Sequence, residues 1–319
     1  MGLLSYVARR LLLAIPTFFF TTLIIFLLAH LAPGDPIEVM SAWKPIPTWL
    51  KDEIRRSFGL DKPLYIQYFI WLSNALQGNL GYSYISGQWI GAIILSLAWN
   101  TIELMLTAQI VSLIVAVVLG VIAAVKQNSP IDAAISTLSL FGYSMPTFWL
   151  ALLLIYVFSL NLGLLPTSGY STVGQPFSLL DHLRHLILPV ATMVINNSAY
   201  LLRLVRSSMI EVLSKSYIIT ARAKGLRERT VIYKHAFRNA LLPLVTVVGI
   251  SMGFLLGGSV IIESIFAWPG LGRFIMQAAI SRDYPSIMGT SMIIVIMVLL
   301  ANISVDIAYG IIDPRIRYE

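Results

Sequence analysis

Six stretches of the chain keep an apolar majority over the roughly 20 residues that a helix needs to cross a bilayer. They fall at 11–31, 101–125, 135–160, 186–202, 240–262 and 287–312. The pattern predicts an all-α integral membrane protein with six transmembrane helices in a single domain, 1–319. The fourth stretch is short, and Asn196, Asn197 and Ser198 stand near its middle. It is expected to face protein or a cavity rather than lipid. Arg9 and Arg10 precede the first stretch in the manner of a signal peptide. That run is too long for a cleavable segment and no small-x-small site follows, so a retained span is expected. Pro146 and Pro189 lie within or at the start of spans and predict kinks there.

Two connecting segments carry patterns of their own. In 33–100, Pro47 opens a helical pattern that runs to Phe58 and stops at Gly59 and Pro63. The aromatic-rich run 64–76 follows and ends before Gly78. It is too short to span, so it reads as an interfacial helix. The second segment, 203–239, divides into helical patterns at 214–224 and 228–239, with Gly225 between them.

Composition sharpens this picture. Apolar residues make up 57% of the 319 and charged residues only 12%, about half the usual share for a soluble domain. The mean hydropathy of +0.81 agrees. The absence of cysteine removes disulfides, thiolate metal sites and a cysteine nucleophile. The net charge of +7 raises the question of nucleic acid, but its placement answers otherwise. The 203–239 segment holds nine basic residues against two acids, Glu211 and Glu228, so its excess equals that of the whole chain. With Arg9, Arg10, Lys126, Arg315 and Arg317 on the same side, the positive-inside rule predicts both termini in the cytoplasm. The 33–100 segment is then extracytoplasmic. A topology signal needs only a few basic residues, so 203–239 points further, to anionic lipid or to a docked cytoplasmic protein.

Several chemistries find no support. There is no G-x-x-x-x-G-K-[ST], hence no P-loop, and no G-x-S-x-G, H-E-x-x-H or G-x-G-x-x-G. His182 and His185 form an H-x-x-H that reads as two solvated interface histidines rather than half of a metal site. Glu103, Glu263 and Asp306 lie at or within spans. Glu103 and Glu263 fall near outer ends where water is close, which favours structural pairing over proton relay. Gly249, Gly253 and Gly257 recur every four residues, on one helix face suited to close packing against another helix.

The segment Ser216-Tyr-Ile-Ile-Thr-Ala-Arg-Ala-Lys-Gly225-Leu, followed by His235-Ala-Phe-Arg-Asn-Ala-Leu-Leu-Pro243, resembles the coupling loop of ABC importer permeases of the dipeptide/oligopeptide/nickel class. The resemblance covers nearly the whole chain. It includes Arg9-Arg10-Leu with Pro16, Pro33-Gly-Asp-Pro36, Gly59-Leu-Asp-Lys-Pro63, Gly78-Asn-Leu-Gly81 and Ser144-Met-Pro146. Leu186-Ile-Leu-Pro189, Trp268-Pro-Gly270, Arg282-Asp-Tyr-Pro285 and Asp313-Pro-Arg-Ile-Arg317 complete the series. The first permease subunit of such systems fits best. In the wider class the loop reads Glu-Ala-Ala, two residues, Gly, nine residues, Ile-x-Leu-Pro. Here Thr220, Ala221 and Arg222 occupy the Glu-Ala-Ala positions and Leu-Pro arrives late, at Leu242-Pro243.

The resemblance implies a permease without catalytic residues, cofactor or metal, with ATP and Mg on separate ATPase subunits. It implies a second related permease, two ATP-binding subunits and an extracytoplasmic substrate-binding protein as partners, in a cytoplasmic membrane. Tyr217, Thr220, Ala221, Arg222, Ala223, Lys224 and Gly225 are the expected ATPase-coupling residues, with Ala221 and Ala223 small enough for close docking. An ion-driven carrier and a scaffold or channel are the alternatives; the missing P-loop together with a basic docking loop favours the importer.

Overall fold

The computed structural model describes residues 3–31, 37–38, 41, 46–57, 59–241, 243–244, 247–248 and 259–312. It is predominantly helical, and the β structure among the described residues is one isolated bridge between Tyr82 and Trp89. The helices are α1 (Leu3–Leu31), α2 (Thr48–Ser57), α3 (Leu64–Leu76), α4 (Ile90–Val125), α5 (Pro130–Ser144) and α6 (Thr147–Asn161). After them come α7 (Leu179–Leu213), α8 (Ser216–Ala223) and α9, an unbroken run of Glu228–Thr230, Val231–Ala236 and Phe237–Ala240. The last are α10 (Leu271–Ile280) and α11 (Tyr284–Ile312). The second part of α6, Ile155–Asn161, and the middle of α9 have π geometry.

Among the described residues, four helices can cross a membrane by length and composition: α1, α4, α7 and α11. The expected third span is not one straight helix. It is the pair α5 and α6, bent by 106°. Proline explains the break: Met145, which precedes Pro146, is pushed into extended geometry (φ −75°, ψ 129°). Pro189, by contrast, is buried inside α7, which passes it unbroken. Two expected starts move outward. The second span begins at Ile90 rather than 101, and the fourth at Leu179 rather than 186, because helices continue past the apolar window. The expected fifth span, 240–262, lies largely outside the described residues, and so do Gly249, Gly253 and Gly257.

By its internal contacts the chain divides into two compact units. One takes Met1–Val7, Ile102–Trp268 and Ala301–Glu319; the other takes Ala8–Thr101 and Pro269–Leu300. In the first, α7 is the central element: 67% of its apolar window is buried, against 44% for that of α4. Leu201, Leu202, Val205 and Met209 of α7 pack with Ala116, Val121 and Ala124 of α4. Gly120 makes that approach possible, since a Cβ there would stand 2.8 Å from the Val205 Cβ. Gly142 of α5 does the same against Ile195, at 3.0 Å.

The second unit is built on rings. Phe26, Tyr68, Leu72, Tyr284 and Met288 form one buried cluster, and the Tyr68 hydroxyl joins Thr22 at 3.0 Å. Asp283 is buried and accepts from the Ser83 hydroxyl (2.5 Å), the Tyr84 N–H (3.0 Å) and the Ser286 hydroxyl (2.8 Å). A cavity of about 590 Å³ opens beside them, lined by Phe26, Trp71, Tyr84, Gln67, His30 and Met288 among others, with no Asp, Glu, Lys or Arg among the described residues of its wall.

Candidate functional site

The segment that resembles a coupling loop folds into a helix, a tight turn and a second helix. α7 ends at Leu213, and Lys215 turns extended to cap the next helix (φ −69°, ψ 147°) while its ammonium bridges Glu211 at 2.8 Å. α8 then covers Ser216–Ala223, slightly shorter than the expected 214–224. Its i, i+3 pair Ile218 and Ala221 points inward, into the cluster of Val205, Met209, Val231, Ile232, Ala236 and Ala240. The opposite face is open. Tyr217 is 43% and Ile219 59% exposed, and Thr220, Arg222, Ala223 and Lys224 are exposed beside them. The expectation for Ala221 is therefore corrected: its small side chain serves close packing within this chain, because it lies one turn from Ile218 on the buried face.

The helix ends in a Schellman motif. Gly225 N–H donates to the Arg222 carbonyl at 2.9 Å, and Leu226 N–H to the Ala221 carbonyl at 3.4 Å. Gly225 sits at φ +74°, in the left-handed region, with nothing within 4 Å of where a Cβ would stand. The demand for glycine is thus one of backbone conformation alone. Across the turn Arg222 reaches forward to Glu228, Nε to Oε2 at 3.1 Å and Nη2 to Oε1 at 2.6 Å. That hydrogen-bonded pairing lowers the Glu228 pKa and raises that of Arg222. Both side chains are about half exposed, so the pair contributes about 0–1 kcal/mol.

α9 begins where the second pattern is expected, at Glu228, and ends at Ala240. Val231, Ile232, Ala236 and Ala240 are buried; Tyr233, Lys234 and Arg238 face out. Asn239 Nδ2 donates to the Tyr217 hydroxyl at 3.1 Å, tying α9 to α8. The result is a surface of exposed rings and aliphatic chains set among cations, on two helices fixed to α7 by an apolar seam.

Two polar contacts in this unit escape sequence reasoning. Asp132, in the first turn of α5, meets Arg206 of α7 through two 2.7 Å bonds. The one local signal is Ser129, which caps α5 three residues earlier. The other contact corrects an expectation. His182 and His185 are not solvated: they are 3% and 7% exposed, within α7. The Nε2 of His182 lies 2.7 Å from Glu103 Oε1, and its Nδ1 lies 3.0 Å from the Tyr170 carbonyl. Rings of Tyr170 and Trp268 pack on it, at 4.1 and 5.6 Å between centroids. Glu263 is fully buried rather than near water, and the Asp306 side chain lies outside the described residues. Among the described residues no three His, Cys, Asp or Glu side chains gather as a metal site would require.

Residues 116–318 match the family described as binding-protein-dependent transport system inner membrane component, and residues 3–89 match its N-terminal companion. An oligopeptide transport system permease, AppB of Bacillus subtilis, is 41% identical over 98% of this chain and 99% of its own length. A di/tripeptide transport system permease, DppB of Pseudomonas aeruginosa, is 42% identical over 99% and 100%. A glutathione transport system permease, GsiC of Escherichia coli, is 40% identical over 99% and 100%. Among solved structures, an inward-facing MetNI methionine ABC transporter chain shares the fold with a TM-score of 0.58. Its identity is 18%, over 69% of this chain and 96% of that one.

Proposed function

This chain belongs to the family of binding-protein-dependent transport system inner membrane components and is a membrane permease subunit of an ABC importer; from that premise we propose that it carries peptides or a closely related small solute into the cytoplasm. Relatives named for oligopeptides, di- and tripeptides and glutathione support that substrate class. The proposed assembly pairs this chain with a second, related permease, two ATP-binding subunits and an extracytoplasmic binding protein. ATP and Mg belong to the ATP-binding subunits; this chain does no bond chemistry. In the proposed topology the chain has six spans, with both termini and the 203–239 segment in the cytoplasm, 33–100 outside and α3 at the outer interface.

One observation carries the coupling role: α8 is a short helix, stopped by a left-handed glycine, whose one face is welded to α7 while the other presents Tyr217, Ile219 and cations. In this reading Tyr217, Thr220, Ala223 and Lys224 contact the ATP-binding subunit, Arg222 shapes the turn through Glu228, and Gly225 lets the chain reverse. Closure of the ATP-binding subunits displaces α8, and the permease pair switches between inward- and outward-open states as a bistable rigid-body change.

The test is the assembled complex in proteoliposomes, with ATP hydrolysis and peptide uptake read with and without loaded binding protein. Uptake that needs both ATP and the binding protein supports the reading; uptake driven by an ion gradient without ATP overturns it. Orientation is checked separately by a membrane-impermeant thiol reagent. Added outside intact cells, it should label Ser86→Cys and spare Ser214→Cys, and the reverse would refute the topology.

A further inference from the structure

Movement imposed on α8 has to reach the rest of the permease through some physical link, and the first unit contains one that neither the coupling-loop resemblance nor the family assigns. α8 is fixed to α7 by the apolar cluster of Ile218 and Ala221 with Val205 and Met209. One residue beyond Val205, Arg206 leaves that seam and grips Asp132 bidentately, Nε to Oδ1 and Nη2 to Oδ2, both at 2.7 Å. The carboxylate is nearly buried, 6% exposed. It is also saturated, accepting from the Asn128 N–H at 3.0 Å and from the Ser136 hydroxyl at 3.3 Å. Asn128 is held at φ 63°, the left-handed turn from which α5 departs. One carboxylate therefore fastens the turn before α5, the first turn of α5 and the inner half of α7.

The rest of the α5–α7 contact is of another kind. It rests on close approach at Gly142 and Ile195, and on the Arg203 guanidinium over the Tyr143 ring at 4.6 Å. Neither fixes position along the helix axes as a fork-to-fork ion pair does. The far end of α5 is the 106° break at Met145 and Pro146. A displacement of α8 thus passes to α7, through Arg206 and Asp132 to α5, and along α5 to the break.

We propose that the Asp132–Arg206 pair is the joint that carries motion of α8 to the α5–α6 break, and that both are positioning residues for coupling ATP hydrolysis to transport. The proposal rests on the importer reading. Its test uses the reconstituted complex and the absence of native cysteine from this chain. Asp132→Cys with Arg206→Cys opens the joint; a reducible bis-methanethiosulfonate of matching reach closes it again. Opening should lower binding-protein-stimulated ATPase and uptake by about tenfold, the size of a typical coupling between sites, with unstimulated ATPase unchanged. Bridging should restore them, and reductant should abolish them once more. A purely structural role does not predict that toggling in one assembled complex. Full stimulation in the open joint, or no recovery once mass spectrometry shows the bridge formed, overturns the proposal. Should the double variant fail to assemble, the isosteric Asp132→Asn decides: a stimulated rate lowered about tenfold supports it, and a wild-type ratio overturns it. A wild-type complex without binding-protein stimulation would instead refute the importer reading.

Discussion

The two units of this permease each fasten segments that lie far apart in sequence, and they do so differently. In the first, Asp132 and Arg206 meet across 74 residues as one charged pair. In the second, Asp283 meets Ser83 across 200 residues and gathers a backbone N–H and two hydroxyls. The first contact is all-or-none, because removing either partner leaves the other charged and partly buried. The second is graded, since each neutral donor can be lost while the others stay. An all-or-none contact suits the joint proposed above; a graded network beside a wall of rings loses its strength one donor at a time.

That contrast can be broken from either side. The largest effect is expected in the second unit. Asp283→Ala strands the Ser83, Tyr84 and Ser286 donors and should destabilise the chain by about 3 kcal/mol, whereas Ser286→Ala should cost only about 1 kcal/mol. Thermal unfolding of the purified complex checks both, and equal losses would show that the network is not graded. Next comes Gly120→Ala in the first unit. Its Cβ would meet Val205 at 2.8 Å and the Leu202 backbone oxygen at 3.0 Å, so overpacking of about 2 kcal/mol is expected from thermal shift.

Gly225→Val should be milder for stability, about 1–2 kcal/mol of left-handed strain, yet it should remove most binding-protein stimulation of ATPase. Gly225→Asn sharpens the point. Asn tolerates that backbone region and the site has open space, so coupling should largely survive; its loss would mean that size rather than conformation matters there. The smallest effect is Arg222→Ala. Both partners of the Arg222–Glu228 pair are half exposed, so the change should cost under about 1 kcal/mol and only weaken coupling. The pair also sets a pH sign. Glu228 is held below its ordinary value by the Arg222 hydrogen bonds, so its contribution is full at neutral pH and lost as pH falls through the lowered value. Unfolding of Arg222→Ala should lack that acid-side slope.

Legibility from sequence follows the range of the interaction. α3 occupies the run 64–76 read from its aromatic content and its Pro63 and Gly78 flanks, because those signals act over a few residues. The turn at Gly225 is legible for the same reason. The starts of α4 and α7 are not: Trp99, Asn100, His182 and Arg184 lower the local hydropathy, although the helices run through them. His182 reads as solvated only because its partner, Glu103, lies 79 residues away. Asp132 is invisible on similar grounds, since Ser129 accounts for it as an ordinary helix start and nothing local announces Arg206. Ala221 reads as a docking residue until the helix phase, set by Ile218, turns it inward.

The bend between α5 and α6 bears on how the chain enters the membrane during synthesis. Each arm, Pro130–Ser144 and Thr147–Asn161, is about 22 Å long at helical rise, short of the roughly 30 Å apolar slab. Neither arm can complete a crossing by itself. The contacts of the first arm with α7, through Arg206, Arg203 and Ile195, come from residues made later. In a nascent chain halted just after Asn161, Ser159→Cys should therefore stay open to a membrane-impermeant thiol reagent, while extension through Leu213 should shield it. Insertion of this region should then wait on its downstream neighbour.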